Sequence, residues 1–355
     1  MNGLSLFASA GIAELGLKKS NVKILVANEL IEKRSQVHKF WHPDCQVVTG
    51  DINNSFVFDN ILELSLQKKV NFIIATPPCQ GFSLIGKNKS FDEMLSDQRN
   101  FLIFKVFDFI DRINPEVVII ENVPRFLKLF FPFDGEFRNI EEIIQKKYSN
   151  QYKIKVDIFN SADYGIPQSR QRAIIRMFNN QYNWEDPKKE KPITVFDAIG
   201  NLPSLESGGK SSIKNHNARK HTPAHVLFMK HTPTGKSAFE NPVYFPKNET
   251  TGEKLKGYAA TYKRIDWDKP APTITMRNDC ISSQSNVHPG RLLSDGTYSD
   301  ARVLTLRELF ILSSIDPDID VPTFVSDIQI RNMIGESVPP LLISKIMEGL
   351  KIGKK

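Results

Sequence analysis

The segment LSLFASAG, residues 4–11, joins a short apolar run to a turn of small residues, and residues 12–17 continue with a helical pattern. Short apolar runs are typical of buried strands, and small residues let the backbone turn sharply. The same order recurs through residues 1–178. Candidate strands are Leu4–Phe7, Val22–Ala27, Gln46–Thr49, Phe72–Ala75 and Val117–Ile120, and candidate helices are Ile12–Leu17, Ile31–His38, Ile61–Gln67, Gln98–Ile113 and Ile140–Tyr148. This alternation predicts an α/β fold with a doubly wound, mostly parallel sheet.

The composition fits a globular protein of one large domain or two smaller ones, with 355 residues of which 40% are hydrophobic and 25% are charged. Cys45, Cys79 and Cys280 form no CxxC pair, which disfavours a disulfide framework and a cysteine-based zinc site. No apolar run approaches the roughly 18 residues of a membrane helix. The apolar start lacks a basic segment and is interrupted by Glu14, unlike a signal peptide. We therefore expect a cytoplasmic protein.

Positive charge is concentrated in one stretch. The net charge is +7, and residues 179–264 hold 14 Lys and Arg against 8 Asp and Glu, an excess of +6. This excess predicts a polyanionic partner. The stretch also contains His216, His221, His225 and His231. We expect loops here rather than a metal site, because His221 and His231 each precede a Thr-Pro pair and no cysteine lies in the stretch.

Small or polar residues follow each predicted strand. In chain order they are the turn 8–11, Asn28-Glu29, Gly50-Asp51-Ile52, the loop 76–83 and Glu121-Asn122. Ligands bind beyond the carboxyl ends of parallel strands, so we expect these residues to converge at one edge of the sheet. Ser9 and Ala10 break the dinucleotide pattern GxGxxG, which favours an adenosine-bearing cofactor without a pyrophosphate.

The loop after the fourth strand carries a candidate functional thiol. Pro77 and Pro78 fix the backbone before Cys79 and remove amide donors, so the loop is stiff. A single cysteine is more often a small buried hydrophobe, which is what we expect of Cys45 and Cys280.

In several motifs, the sequence resembles the cytosine-5 DNA methyltransferases. PPCQGFS, residues 77–83, matches that family's nucleophile motif, and SLFASAG, residues 5–11, resembles its cofactor loop, although Asp and Gly are commoner where Ser5 and Ser9 stand. ENV, residues 121–123, resembles the catalytic-acid motif, and QSRQR, residues 168–172, resembles the Gln-x-Arg-x-Arg motif. Residues 269–275, 302–308 and 335–340 resemble the late motifs, with Glu336 where Asn is usual. The motifs follow the family order across nearly the whole chain.

The resemblance implies transfer of a methyl group from S-adenosyl-L-methionine to C5 of a flipped-out cytosine in a specific double-stranded DNA sequence. It assigns Cys79 as the thiolate that adds at C6, Glu121 to N3 and the 4-amino group, and Arg172 and Arg170 to O2 or its neighbours. Spacing alone also fits both arginines as surface charges on a strand. The cofactor contacts that it implies are Phe7 on the adenine, Glu29 on the ribose, Asp51 and Ile52 on the adenine edge and face, and further contacts from Ser9, Gly11, Pro77 and Glu336.

The resemblance also implies the S-adenosylmethionine-dependent methyltransferase fold. Residues 1–190 plus 330–355 would form the catalytic and cofactor-binding domain, and residues 191–329 a smaller, irregular target recognition domain. We expect a monomer on DNA that protects host DNA in a restriction-modification system. A cognate restriction endonuclease would act on the same site without direct contact.

Three other functions fit parts of the pattern. An RNA (tRNA) cytosine-5 methyltransferase of the same fold usually carries a Cys-Phe-Thr signature, which is absent here. A binding module that has lost catalysis would not need Cys79, Glu121 and Arg172. A cysteine hydrolase would need a histidine base paired with its thiol, and no histidine here has that pattern.

Overall fold

A computed structural model describes residues 1–78, 101–248 and 250–353. Cys79 and the start of the predicted helix Gln98–Ile113 lie outside these ranges. The described residues form two compact units. The first contains Met1–Asn160, Gln171–Lys188 and the end of the chain from Ile343, and the second contains Ser161–Arg170 and Lys189–Leu342. Whether the two units divide catalysis and DNA recognition as the sequence predicts remains a prediction. Within the described ranges, no helix has the length and apolar character to cross a bilayer.

The first unit is built on a seven-stranded sheet with the strand order β3-β2-β1-β4-β5-β9-β8. The strands are β1 (Asn2–Leu6), β2 (Lys23–Glu29), β3 (Gln46–Thr49), β4 (Phe72–Ala75), β5 (Val117–Asn122), β8 (Lys153–Asn160) and β9 (Gln171–Phe178). The first five are parallel, and β9 runs antiparallel to both β5 and β8. The predicted doubly wound, mostly parallel sheet is therefore confirmed.

Helices α1 (Glu32–Trp41), α2 (Ser55–Gln67) and α3 (Leu102–Ile113) connect the parallel strands, and α4 (Ile140–Tyr148) precedes β8. The predicted helix after β1 is a 3-10 helix, Ala13–Lys19. Helix α2 begins earlier than predicted, because the Asn54 side chain accepts hydrogen bonds from the amides of Phe56 and Val57 and caps it. Side chains of α3 such as Val106 and Ile110 pack on the sheet core with Val118 and Ile120 of β5.

Two small antiparallel pairs complete the first unit. Strands β6 (Phe130–Phe133) and β7 (Glu136–Asn139) form a hairpin, and β10 (Tyr182–Trp184) pairs with β11 (Leu350–Ile352). The last helix, α9 (Pro340–Glu348), lies mostly in the first unit. Its carbonyl at Ile346 accepts a hydrogen bond from the Trp184 indole, which fixes the chain end to β10.

The second unit is largely irregular. It contains the short helices α5 (Val195–Ile199), α6 (Pro223–Lys230), α7 (Leu306–Leu312) and α8 (Asp327–Glu336). Side-chain caps from Thr194, Thr222, Thr305 and Ser326 begin them. One apolar cluster packs Met229 and Ala238 against Ile281, Val287 and Val303. Few strands pair with one another in the described part of this unit. Buried arginines therefore supply many of the hydrogen bonds that join its loops.

Candidate active site

The turn after β1 has an unusual backbone. Phe7, Ser9 and Gly11 all have positive φ, at 60°, 47° and 75°. L-residues seldom adopt this region, so the surrounding structure must hold the turn. The Ser9 amide donates to Oε2 of Glu29 over 2.8 Å, and the Ala8 amide donates to the carbonyl of Asn28 over 2.9 Å. The end of β2 therefore fixes the turn that the sequence predicts to hold the cofactor.

Glu29 links three chain segments at this edge of the sheet. Its side chain is 5% exposed, and its Oε1 accepts from the Ile31 amide over 2.9 Å and lies 3.7 Å from Arg34. Its carbonyl accepts from the Gly50 amide over 3.0 Å, which brings the segment after β3 alongside. The structure thus brings Ser9, Glu29 and the turn containing Asp51 together, as expected.

The residues at this edge fit a nucleoside. Asp51 is exposed, and Ile52 beneath it is buried at 3% exposure. Two carboxylates can accept hydrogen bonds from hydroxyl or amino groups. The half-buried Phe7 ring and Ile52 supply apolar surface for a base. These acceptors and apolar side chains fit the hydroxyl and amino groups and the ring faces of an adenosine.

The ends of β4 and β5 are joined by a side chain whose role the sequence analysis did not assign. The Nδ2 of Asn122 donates to the carbonyl of Pro77 over 3.0 Å. The hydroxyl of Thr76 donates to the carbonyl of Phe7 over 3.0 Å. The start of the Cys79 loop is therefore tied to the acid motif on one side and to the cofactor turn on the other. Thr76 and Asn122 lie in the loop 76–83 and in the pair Glu121-Asn122. Their positions directly after predicted strands were therefore the sequence signal for these contacts.

Glu121 and Arg172 form a buried ion pair. The Nε of Arg172 lies 2.8 Å from Oε1 of Glu121, with side chains 11% and 9% exposed. Burial lowers the pKa of Arg172, and the Glu121 carboxylate opposes that shift. Arg172 donates a second bond to the carbonyl of Gln171 over 2.7 Å. It is not a solvated surface charge on β9, which was the other interpretation of its spacing.

Arg170 belongs to the second unit and lies in a different environment. It is 3% exposed and donates to the carbonyl of Ile274 over 2.9 Å and to that of Gly335 over 3.0 Å. Gln168 joins the same region, since its side chain accepts from the Ile274 amide over 3.2 Å. Three of the sequence motifs are therefore joined inside this unit. Glu336, the last residue of α8, is half-buried there.

Two solved structures of methyltransferases share this fold. A methyltransferase encoded within a prophage (E. coli) superposes with a TM-score of 0.71 at 19% identity, covering 98% of this chain and 98% of that one. The Entamoeba histolytica methyltransferase EhMeth superposes with a TM-score of 0.65 at 18% identity, covering 98% and 97%. The chain thus shares the fold of these methyltransferases, as predicted.

Sequence comparison defines the family. The model of the C-5 cytosine-specific DNA methylases matches residues 1–352. The type II methyltransferase M1.HgaI of Avibacterium volantium is 49% identical over 97% of this chain and 96% of its own length. M1.HphI of Haemophilus parahaemolyticus, also a type II methyltransferase, is 30% identical over 98% and 86%. The chain belongs to the C-5 cytosine-specific DNA methylase family, and it is a DNA methyltransferase of the type II restriction-modification kind.

Proposed function

We propose that the protein methylates C5 of a flipped-out cytosine in a specific double-stranded DNA sequence, using S-adenosyl-L-methionine and a covalent Cys79 adduct. The observation that carries this proposal is the Glu121–Arg172 pair at the end of β5, beside the Asn122 bond to Pro77. It sets an acid and a cation next to the start of the nucleophile loop.

Cys79 is the best candidate for the nucleophile among the three cysteines. Cys45 is buried, and burial with the nearby Glu14 charge raises the pKa of its thiol to about 12. Such a thiol supplies almost no thiolate at neutral pH. Cys280 belongs to the irregular second unit and follows no strand of the sheet. Cys79 comes after β4, in the motif that the family uses.

The reaction needs a thiolate because C5 of cytosine is a weak nucleophile. Addition of the Cys79 sulfur at C6 forms a C–S bond and moves electrons toward C5 and N3. C5 would then form its bond to the methyl group as the bond between that methyl and the sulfonium sulfur breaks, which is the chemistry that S-adenosylmethionine would supply when bound. Loss of the C5 proton restores the double bond and expels the thiol. Glu121 accepts from the 4-amino group and from protonated N3, while Arg172 holds Glu121 and the O2 side of the ring.

The cofactor residues are proposed on the edge formed by β1 to β3. Glu29 accepts from the ribose hydroxyls, and Asp51 from the adenine amino group. Phe7 and Ile52 contact the faces of the base, and the backbone at Ser9, Gly11 and Pro77 borders the rest of the molecule. The acceptor set and the apolar pair support this assignment, as does the close approach that the positive-φ turn allows. Glu336 is proposed to act on cofactor affinity rather than on chemistry.

The second unit is proposed to carry the DNA-recognition residues. The target base must leave the duplex because its C6 is stacked within it. Exposed lysines at positions 236, 247, 254 and 256 offer phosphate contacts. Arg264 does not, because it is fully buried and donates to the carbonyls of Met229, His288 and Ser299. The enzyme would act as a monomer and protect DNA from an endonuclease that cuts the same site.

The proposal is tested with tritiated S-adenosylmethionine and DNA carrying 5-fluorocytosine. Fluorine at C5 cannot leave as a proton does, so wild type should be trapped as a covalent adduct with DNA. Cys79→Ser should form no adduct and transfer no methyl group, while it still binds DNA and S-adenosylhomocysteine. Cys45→Ser is the matched control and should be trapped like wild type. An adduct on Cys79→Ser, or methyl transfer to transfer RNA but not to DNA, would overturn the proposal.

A further inference from the structure

Four polar side chains lie together beside the cofactor turn. Ser5 of β1, Glu14 of the 3-10 helix and His38 of α1 are buried, and the fourth, His42, follows α1 and is half-buried. We call them the Glu14 cluster. Ser5 donates its hydroxyl to Oε1 of Glu14, and Nε2 of His38 lies 3.7 Å from the same oxygen. The rings of His38 and His42 are 4.8 Å apart. Ser5, Glu14 and His38 are 3%, 4% and 0% exposed. Burying polar groups costs free energy unless each is hydrogen-bonded, which points to a role for this cluster beyond packing.

His42 connects this cluster to the cofactor turn. Its Nε2 lies 2.7 Å from the carbonyl oxygen of Gly11. A carbonyl only accepts, so the proton of His42 must sit on Nε2 and be donated to Gly11. Gly11 has a φ of 75°, and a Cβ there would lie 2.6 Å from the His42 ring and 2.8 Å from the His38 ring. The turn therefore rests directly on the two imidazoles, which explains why only glycine fits.

Burial and the neighbouring charges favour the neutral form of His42. Burial lowers the pKa of His42, and His38 and Lys18 lower it further. Glu14 and the bond to Gly11 act in the opposite direction but do not reverse the shift. For Glu14, burial would raise the pKa, but the interactions with His38 and the Ser5 hydroxyl outweigh it and lower the pKa. Near neutral pH, a charged Glu14 therefore faces a neutral His42 that donates from Nε2.

We infer that His42 is a positioning residue for the cofactor: it holds the turn 7–11 in its binding conformation, and its own ring packs against that of His38. The inference rests on the proposed use of S-adenosylmethionine at this turn. The positive φ values at Phe7 and Ser9 mean that the turn has no intrinsic preference for this shape. Without the His42 bond, some of the protein molecules leave the conformation that binds the cofactor. The apparent affinity for the cofactor then falls in proportion to the fraction of molecules that stay in it. Chemistry at saturating cofactor is then unaffected.

Two substitutions at His42 separate positioning from packing. His42→Phe keeps an aromatic ring and removes the donor, whereas His42→Gln keeps an N–H donor. We expect His42→Phe to raise the Kd of S-adenosylhomocysteine, measured by calorimetry, and the KM of S-adenosylmethionine by about tenfold. Its kcat should stay within about twofold of wild type, and His42→Gln should recover most of the affinity. His231→Phe, the same change at a histidine that stacks on Tyr244, is the matched control and should bind like wild type.

Several outcomes would overturn the inference. They are a folded His42→Phe protein that binds S-adenosylhomocysteine as tightly as wild type, equal losses in both variants, and a fall in kcat at unchanged KM. If His42→Phe does not fold, nitrogen-15 NMR of wild type decides. A neutral His42 protonated at Nε2 near pH 7 is expected, and protonation at Nδ1 would refute the bond. A wild type that fails to bind S-adenosylhomocysteine would overturn the proposed cofactor itself, a different result from an unchanged variant.

Discussion

The guanidinium of Arg172 meets the carboxylate of Glu121 because β9 runs antiparallel to β5. Glu121 is paired with Ile174 and Asn122 with Ala173 across the two strands. The first residues of β9 therefore lie at the same edge of the sheet as the last residues of β5. A parallel strand in this place would have put Arg172 at the opposite edge. The direction of one strand thus creates the acid–cation pair on which the proposed chemistry depends.

Replacing the carboxylate of Glu121 or the guanidinium of Arg172 should slow catalysis without unfolding the protein. We expect Glu121→Gln and Arg172→Lys each to lower kcat by about 10² to 10³. The double variant should be little worse than either single one, because the two groups act as a unit. Glu136→Gln, which breaks the exposed pair with Arg138, is the control and should leave kcat unchanged. Fully additive losses in single-turnover assays would contradict a shared role.

Glu336 offers a test of a cofactor contact that the sequence predicts. It ends α8, where the negative end of the helix dipole disfavours a carboxylate. Glu336→Asn should change the KM of S-adenosylmethionine while single-turnover methylation at saturating cofactor stays within about twofold. A large fall in the saturated rate would mean that Glu336 takes part in the transition state.

The sequence predicted the elements that have a strong local pattern. The apolar run Phe72–Ala75 and the amphipathic stretch Ile140–Tyr148 have the predicted bounds as β4 and α4. Strands β8 and β9 were not predicted, because charged residues such as Lys155 of β8 and Arg176 of β9 interrupt their apolar positions, so that neither is a continuous apolar run. The contacts of Asn122 with Pro77 and of His42 with Gly11 join residues 45 and 31 positions apart. Local pattern carries no information about such pairs, so only the fold could reveal them.

Ser9 should tolerate glycine. Its φ of 47° is in the left-handed region, which costs an L-residue roughly 1 kcal/mol. Ser9→Gly relieves that strain and keeps the amide that donates to Glu29, so the Kd of S-adenosylhomocysteine should stay within about twofold. The melting temperature should be unchanged or higher. Ser9→Val, with a β-branched side chain, should lower stability by about 1 to 2 kcal/mol. A large loss of affinity in Ser9→Gly would instead assign a cofactor contact to the hydroxyl.

DNA affinity should depend steeply on salt and on exposed lysines of the second unit. Lys247 and Lys254 face each other in a bridge, and Lys254 lies 4.8 Å from the Phe245 ring. If both contact phosphates, Lys247→Ala with Lys254→Ala should reduce the slope of log K against log salt by about 2. The control Lys19→Ala with Lys39→Ala changes two exposed lysines of the first unit. Equal slopes for the two double variants, from fluorescence anisotropy titrations, would place the phosphate contacts elsewhere.

The second unit should lose stability in acid through a buried histidine. His288 is 2% exposed, and its Nδ1 accepts from the Gly290 amide over 3.1 Å, so that nitrogen carries no proton. Burial and the Arg302 charge lower the pKa of His288 to about 3, although Glu308 and Asp300 oppose the shift. The unfolded chain takes up a proton near pH 6.5, which the folded chain does not bind until about pH 3. Stability is therefore complete above pH 6.5 and falls as the pH drops toward 3.

The measurement is the free energy of unfolding by urea at several pH values. Below pH 6.5, this histidine should contribute a slope of about 1.4 kcal/mol per pH unit. His288→Asn keeps an acceptor for the Gly290 amide but does not titrate, so its curve should be flatter by that amount. Other titrating groups are common to both proteins and cancel in the difference. Between pH 7 and 8.5 the two curves should run parallel, which serves as the control. Parallel curves that continue down to pH 4.5 would show that His288 is already protonated in the folded protein.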